Sequence, residues 1–300
     1  MIRIIAEAGV NHNGSLEMAK SLVDAAADAG ADFVKFQTFK AEKLVTADAG
    51  KAEYQKKNMN GSDSSQLQML KNLELSEDDH RELMDYCERK GIRFLSTPFD
   101  LDSVDFLHSL GLKIWKIPSG EITNYPYLRK IAGYNEEVVM STGMCEVSDV
   151  AAAMNALAEN GQDLAKVTLL HCNTQYPTPM ADVNLRAMLS LRDFSEKVGF
   201  SDHTVGIEIP VAAAALGATV IEKHFTLSRD LPGPDHLASL EPMELKAMVA
   251  AIRNVETALG DGRKRVSPSE SANVAVARKS IVASCNIKRG EVLTENNMTA

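Results

Sequence analysis

Short apolar or β-branched runs alternate with longer stretches whose apolar residues recur every three to four positions, and the alternation continues almost to residue 260. The short runs, at residues 3–8, 32–37, 93–96, 113–117, 138–141, 167–172, 198–201 and 220–225, are close to continuous in Val, Ile, Leu and Phe, as strands covered on both faces are. Residues 16–29, 77–90, 147–158 and 207–216, and 243–259 after the last run, carry the helical period. Strictly alternating strands and helices imply a parallel sheet with crossover helices. Eight such units in about 260 residues match a (β/α)8 TIM barrel of the α/β class. Gly30, Gly91, Gly111 and Gly217 each follow a helical run, where a left-handed C′ residue is expected. A doubly wound open sheet competes with this reading, but no Gly-x-Gly-x-x-Gly turn follows an early strand.

Two segments depart from the alternation. Residues 58–68 are a polar excursion after the second strand, expected to be a loop on the active-site side of a barrel. Gly260 to Ser269 is rich in Gly, Ser, Pro and charge and reads as a linker. The expected organisation is therefore a barrel over 1–260, a linker over 261–274 and, over 275–300, the start of something new that is too short to bury its own core.

With 300 residues, 45% of them apolar, the chain can support one large domain and an appendage. A net charge of -9 argues against nucleic-acid and anionic-membrane partners, so any anionic substrate must be held by local groups. The amino-terminal run reaches Glu7 too soon for a signal-peptide core. Cys87, Cys145, Cys172 and Cys285 are scattered without Cys-x-x-Cys spacing, which suits reduced structural thiols in a cytoplasm.

In such a barrel the chemistry sits at the carboxyl ends of the strands. Nearly every strand here ends in polar residues, and eight such ends converging on one mouth favour a site over solvated termini. His203 and His224 end neighbouring strands. Their spacing suits either a hydrogen-bonded core pair or a catalytic metal site whose remaining coordination positions stay open. His80 and His108, on helices, read as surface residues. Lys35 and Lys116 offer charge to a phosphate or carboxylate, unless Lys35 simply pairs with Glu7 across neighbouring strands. Alternation puts Lys35 and Gln37 on one face. Ser141-Thr142-Gly143 precedes a helix whose free N–H groups suit phosphate oxygens. Glu7 and Glu121 are candidate carboxylates for positioning or proton transfer. The loops at 11–14 and 231–236 are explained by turn chemistry alone. A strand lysine, Lys35 or Lys116, could instead form a Schiff base in an aldolase, and a non-catalytic sugar-phosphate binder would also use such a mouth.

At these residues the sequence resembles the sialic acid synthase family, the bacterial N-acetylneuraminate and legionaminic acid synthases. The resemblance covers essentially the whole chain, through Ala6-Glu7-Ala8-Gly9-Val10-Asn11-His12-Asn13-Gly14, Val34-Lys35-Phe36-Gln37-Thr38, Leu95-Ser96-Thr97-Pro98-Phe99, Lys116-Ile117-Pro118-Ser119-Gly120-Glu121, Ser141-Thr142-Gly143-Met144, His171-Cys172-Asn173-Thr174-Gln175-Tyr176-Pro177, Ser201-Asp202-His203-Thr204, Glu222-Lys223-His224-Phe225-Thr226 and Gly233-Pro234-Asp235-His236. It implies that His203 and His224 bind a divalent metal, Mn2+ first and Mg2+ or Co2+ as alternatives. By the same resemblance Lys35, Gln37, Thr97, Lys116, Ser119, Ser141, Asn173 and Ser201 hold phosphoenolpyruvate, and Glu7, Tyr176 and Asp235 meet an open-chain, N-acetylmannosamine-like sugar. Glu7, Lys35, Glu121, His203 and His224 form the expected catalytic set. Whether Asn173 or Thr174 touches phosphate is open, because their order varies between family branches. The family's antifreeze-like terminal domain crosses to a partner subunit in a swapped homodimer and delivers an arginine to its sugar site; residues 275–300 correspond to its beginning. N-acetylmannosamine is the expected acceptor, with 2,4-diacetamido-2,4,6-trideoxymannose as the alternative.

Overall fold

A computed structural model describes residues 1–45 and 65–300. Eight parallel strands, β1 (Arg3–Gly9), β2 (Phe33–Thr38), β3 (Arg93–Pro98), β4 (Ile114–Ile117), β5 (Glu137–Ser141), β6 (Val167–His171), β7 (Lys197–Asp202) and β8 (Val220–His224), pair in sequence order, and β8 closes on β1. β3 and β4 lie side by side and complete the ring. The helices are α1 (Leu16–Ala29), α2 (Ala41–Leu44), α3 (Gln66–Leu73), α4 (Glu77–Lys90), α5 (Leu101–Ser109), α6 (Tyr125–Ala132), α7 (Val147–Glu159), α8 (Ala187–Ser190), α9 (Glu208–Ala215) and α10 (Pro242–Leu259). This is the expected (β/α)8 barrel, with strand ends within two residues of the pattern. Gly30, Gly91, Gly111 and Gly217 all adopt positive φ.

Strand alternation sorts the side chains into shells. Outward residues such as Ile4, Phe36, Trp115, Met140 and Phe225 pack under the helices in the main core. Inward, Ile5, Phe33, Leu95, Val139, Leu170 and Val220 form a separate apolar plug, with Ile114 against it. β7 contributes Gly199 to this level, because a Cβ there would lie 2.3 Å from the Val220 carbonyl oxygen. Two residues further along each strand, the same inward face presents Glu7, Lys35, Thr97, Lys116, Ser141, Cys172, Ser201 and Glu222. The barrel is thus apolar at its base and polar at its mouth.

Three expectations change. His80 is not a surface residue: at 1% exposure its ring makes 2.8 Å hydrogen bonds to the Thr38 hydroxyl and the Ser76 carbonyl. His80, Leu83 and Cys87 form one buried stripe of α4, so the helical period takes the histidine inward. His108 does lie on the surface, stacked 4.0 Å from Tyr134. The loops around 11–14 and 231–236 are more than turn chemistry, since Asn11, His12, Asp235 and His236 are buried. Finally, a helix, α11 (Ser271–Ala277), crosses the expected boundary between the linker and the last segment. It belongs to a second compact unit, Leu259–Ala300, in which β9 (Val282–Ala283) pairs antiparallel with β10 (Met298–Thr299). Of the polar excursion, 58–64 lie outside the described residues, and its end forms the start of α3. Among the described residues no helix is long and apolar enough to cross a membrane.

Candidate active site

A cavity of about 290 Å³ opens at the carboxyl ends of the strands. Its floor is a buried charge network. Lys35 Nζ lies 2.8 Å from Glu7 Oε2 and 3.4 Å from Glu222 Oε2, and donates to Thr97 Oγ1 at 3.0 Å. Lys116 Nζ donates to Ser141 Oγ at 2.7 Å and stands 3.7 Å from Glu222 Oε1. The Ser201 hydroxyl donates to Glu222 Oε1 at 2.8 Å. Lys35 is therefore both an ion-pair partner and a cation on the cavity floor.

Burial and charge set the protonation of this network. Burial alone would raise the Glu222 carboxyl, but Lys116 and Lys35 on either side outweigh it and hold its pKa at about 2. Glu7 has one ammonium partner instead of two, and burial pushes it up to about 7. For Lys35, burial opposes the charge, yet the two carboxylates hold its pKa above the usual value. Burial pulls Lys116 down. Lys35 is thus a held ammonium, poorly suited to Schiff-base attack, which needs a neutral amine.

Above the floor sit the two histidines, 5.3 Å apart between ring centroids, with the Tyr176 ring 4.0 Å from His203. Burial lowers His203 to about 4 and His224 well below its ordinary range, so both imidazoles are neutral. His203 Nδ1 donates to the Asn173 carbonyl at 2.5 Å, which leaves the Nε2 lone pair free. His224 Nδ1 is buried without a hydrogen-bond partner among the described residues. Two neutral rings, one oriented by a carbonyl and the other carrying an orphaned nitrogen, fit a divalent ion. No group of three or more His, Cys, Asp or Glu among the described residues is arranged to hold one, so such a site would leave positions open for water and substrate.

Most residues expected at the site line the cavity: Glu7, Lys35, Gln37, Thr97, Lys116, Ser119, Ser141, Tyr176, Ser201, His203, His224 and Asp235. Two do not. Glu121 accepts from the Asn124 side chain at 2.6 Å and lies off the cavity wall. The Asn173 side chain caps its own turn, accepting from the Gln175 N–H at 2.7 Å, while Thr174 faces the cavity. The helix after Gly143 offers no anion cradle either. The Glu146 N–H donates to Asp149 at 2.8 Å, and two carboxylates occupy that helix start. Glu222, absent from the expected set, stands at the centre of the network. Cys172 lines the cavity, but burial raises its thiol pKa, making it a poor nucleophile.

Asp235 is held from behind. Its backbone carbonyl accepts from the Ser239 hydroxyl at 2.7 Å, which itself accepts from Asn11 at 3.0 Å. His236 bridges Thr226 at 2.6 Å and Asn13 at 3.2 Å. The loop after β8 is thereby stitched to the loop after β1. Burial raises the Asp235 carboxyl to about 6.

The description of the NeuB family matches residues 22–264. The chain belongs to this family, that of the sialic acid synthases. It is 56% identical to N,N'-diacetyllegionaminic acid synthase of Campylobacter jejuni over 99% of this chain and 89% of the relative. Against the enzyme of the same name from Legionella pneumophila it is 51% identical, over 98% of this chain and 83% of the relative. The crystal structure of the N-acetylneuraminic acid synthetase of Leptospira borgpetersenii, in complex with citrate, superposes with a TM-score of 0.80 at 33% identity, covering 92% and 90% of the two chains. As a NeuB-family member the chain is a condensing enzyme of sugar acid biosynthesis, so the aldolase and binding-protein readings fall away.

Proposed function

We propose that this NeuB-family enzyme is an N,N'-diacetyllegionaminic acid synthase, joining phosphoenolpyruvate to 2,4-diacetamido-2,4,6-trideoxymannose. Two relatives of that name at 56% and 51% identity reverse the sequence-based preference for N-acetylmannosamine. The observation that carries the chemistry is the pair of buried ammoniums, Lys35 and Lys116, flanked by the hydroxyls of Thr97, Ser141 and Ser201, on the floor of the cavity. A small anion with phosphate and carboxylate ends would find both its charges answered there.

In this reading C3 of phosphoenolpyruvate attacks the aldehyde carbon of the open-chain sugar, and the C–C bond forms. Water then adds at C2, and phosphate leaves as the C2–O bond breaks, giving a 2-keto acid. Lys35 and Lys116 hold the anion, and Glu222 fixes both lysines. Glu7 and Asp235 receive the sugar's hydroxyl and amide groups, with Glu7 delivering the proton that the aldehyde oxygen takes up. A divalent ion on His203 and His224, Mn2+ by family resemblance, would polarise the aldehyde. Holding two substrates in line supplies much of the rate, up to roughly 7–11 kcal/mol.

The test is phosphate release on mixing enzyme, Mn2+, phosphoenolpyruvate and the trideoxy sugar. One phosphate per 2-keto acid formed is expected. No release with this sugar, at enzyme concentrations that give release with N-acetylmannosamine, would overturn the assignment.

A further inference from the structure

The cavity has two chemically distinct sides. Besides the charged floor, Val10, Leu44, Met69, Leu70, Leu73 and Phe99 line the cavity as one apolar wall. The wall belongs to a small core of its own, separate from the barrel core, that joins α2 and α3 to the loop after β1. Met69 and Leu73, one turn apart, and Leu70 beside them share a face of α3, and none is more than 9% exposed. α3 is fixed in place: a Cβ on Gly14 (φ 76°) would lie 2.2 Å from the Asn72 carbonyl oxygen, so only glycine lets the helix end approach this closely. The Ala41 N–H donates to Glu74 at 2.5 Å, which ties α2 to the segment after α3.

We infer that this wall, through Met69, Leu70 and Leu73, selects the acceptor sugar by the hydroxyls it lacks. The inference rests on the reading of the cavity as a phosphoenolpyruvate–aldose condensation site. The anion takes the cationic floor, so the tail of the sugar is left to meet the wall. N-acetylmannosamine and the trideoxy sugar differ at C4, where an acetamido group replaces a hydroxyl, and at C6, where a methyl replaces a hydroxymethyl. The C6 change exchanges polar for apolar surface, and the C4 change adds an acetyl methyl to a group that stays polar. A hydroxyl pressed against Leu and Met loses water and gains no partner, whereas a methyl gains by leaving water. An apolar pocket rejects an added hydroxyl by about a hundredfold at most, so the expected preference is tens of fold.

The test uses Leu73→Gln and Met69→Gln, with Leu73→Met as the conservative control. Steady-state phosphate release is measured with each sugar, together with KM for phosphoenolpyruvate. The wild-type enzyme should prefer the trideoxy sugar in kcat/KM. In each Gln variant that preference should fall at least tenfold with KM for phosphoenolpyruvate unchanged, and Leu73→Met should keep it. A preference within twofold of wild type in both Gln variants would overturn the inference, as would equal losses on both sugars with phosphoenolpyruvate binding intact. Wild-type enzyme that turns over neither sugar would instead overturn the reading beneath it. Reading two variants guards against loss of fold in either.

Discussion

Replacing Glu222 with Gln tests the electrostatic design of the floor. Gln keeps the shape and an acceptor for the Ser201 hydroxyl but removes the charge that neutralises Lys35 at 3.4 Å and Lys116 at 3.7 Å. At an effective dielectric of about 20, unit charges at those separations attract by about 5 and about 4.5 kcal/mol. Much of that sum offsets the desolvation of the carboxylate, and breaking a buried pair by removing one partner typically costs about 3–5 kcal/mol. Lys116 limits the damage by shedding its proton, which burial already loosens. The lower end, about 3 kcal/mol, is therefore expected, a fall in Tm of roughly 6–12 °C. A bound anion draws the proton back onto Lys116, and the variant floor is then more positive than the wild-type floor by one charge. An anion that binds only the folded state should then recover more stability in the variant than in wild type. Calorimetry with and without phosphoenolpyruvate measures both quantities. A Tm within 2 °C of wild type, or a smaller rise with phosphoenolpyruvate than wild type shows, would refute the reasoning.

Alanine at His203 or His224 should abolish metal-dependent turnover and lower the metal retained after dialysis while circular dichroism stays that of the wild type; full activity of metal-stripped His203→Ala would contradict the metal reading. Thr174→Val should raise KM for phosphoenolpyruvate severalfold and exceed any effect of Asn173→Ala, whose side chain serves its own turn; the reverse order would restore Asn173 to the site. His12 and His236, both lowered by burial to about 4 from 6.5, stay neutral in the fold. Below pH 6.5 the unfolded chain binds protons that these two histidines refuse in the fold, so their contribution to stability is complete above pH 6.5 and is lost as pH drops towards 4. Urea midpoints at pH 7, 5.5 and 4.5 follow this loss, and His236→Gln should reduce its slope; an unchanged slope would locate the pH dependence elsewhere.

The barrel is legible in the sequence because a strand buried on both faces and an amphipathic helix leave different periods. The cavity lining is legible almost as well, and the omission of Glu222 has a simple cause. Taking polar residues at strand ends as a group ignores the two-residue alternation that turns every second side chain away. Counting in twos from the apolar plug, Val220 leads to Glu222 and His224, and Leu170 to Cys172 and Thr174. The same count passes over Asn173. It thus recovers the missed carboxylate. Glu121 lies beyond the end of β4 in a short helical turn, where strand parity no longer applies. His80 needed the corresponding count on a helix. Hydrogen bonds that stitch the loop after β8 to the loop after β1 join residues more than two hundred positions apart, and no local pattern announces them.

The buried ammoniums on the cavity floor also bear on how fast an anion arrives. They are largely cancelled by Glu7 and Glu222 at short range, while the chain as a whole carries a net charge of -9. Within a Debye length of about 8–10 Å of the surface an incoming polyanion meets the repulsive field of the net charge, and attraction begins only within the mouth. Capture and retention therefore respond to salt in opposite directions: added ions screen the approach and speed association, while they weaken the contacts that hold the anion once inside. An enzyme built in this way trades rapid collection of its anionic substrate for discrimination at contact, where a molecule small enough to reach the floor finds two buried lysines together.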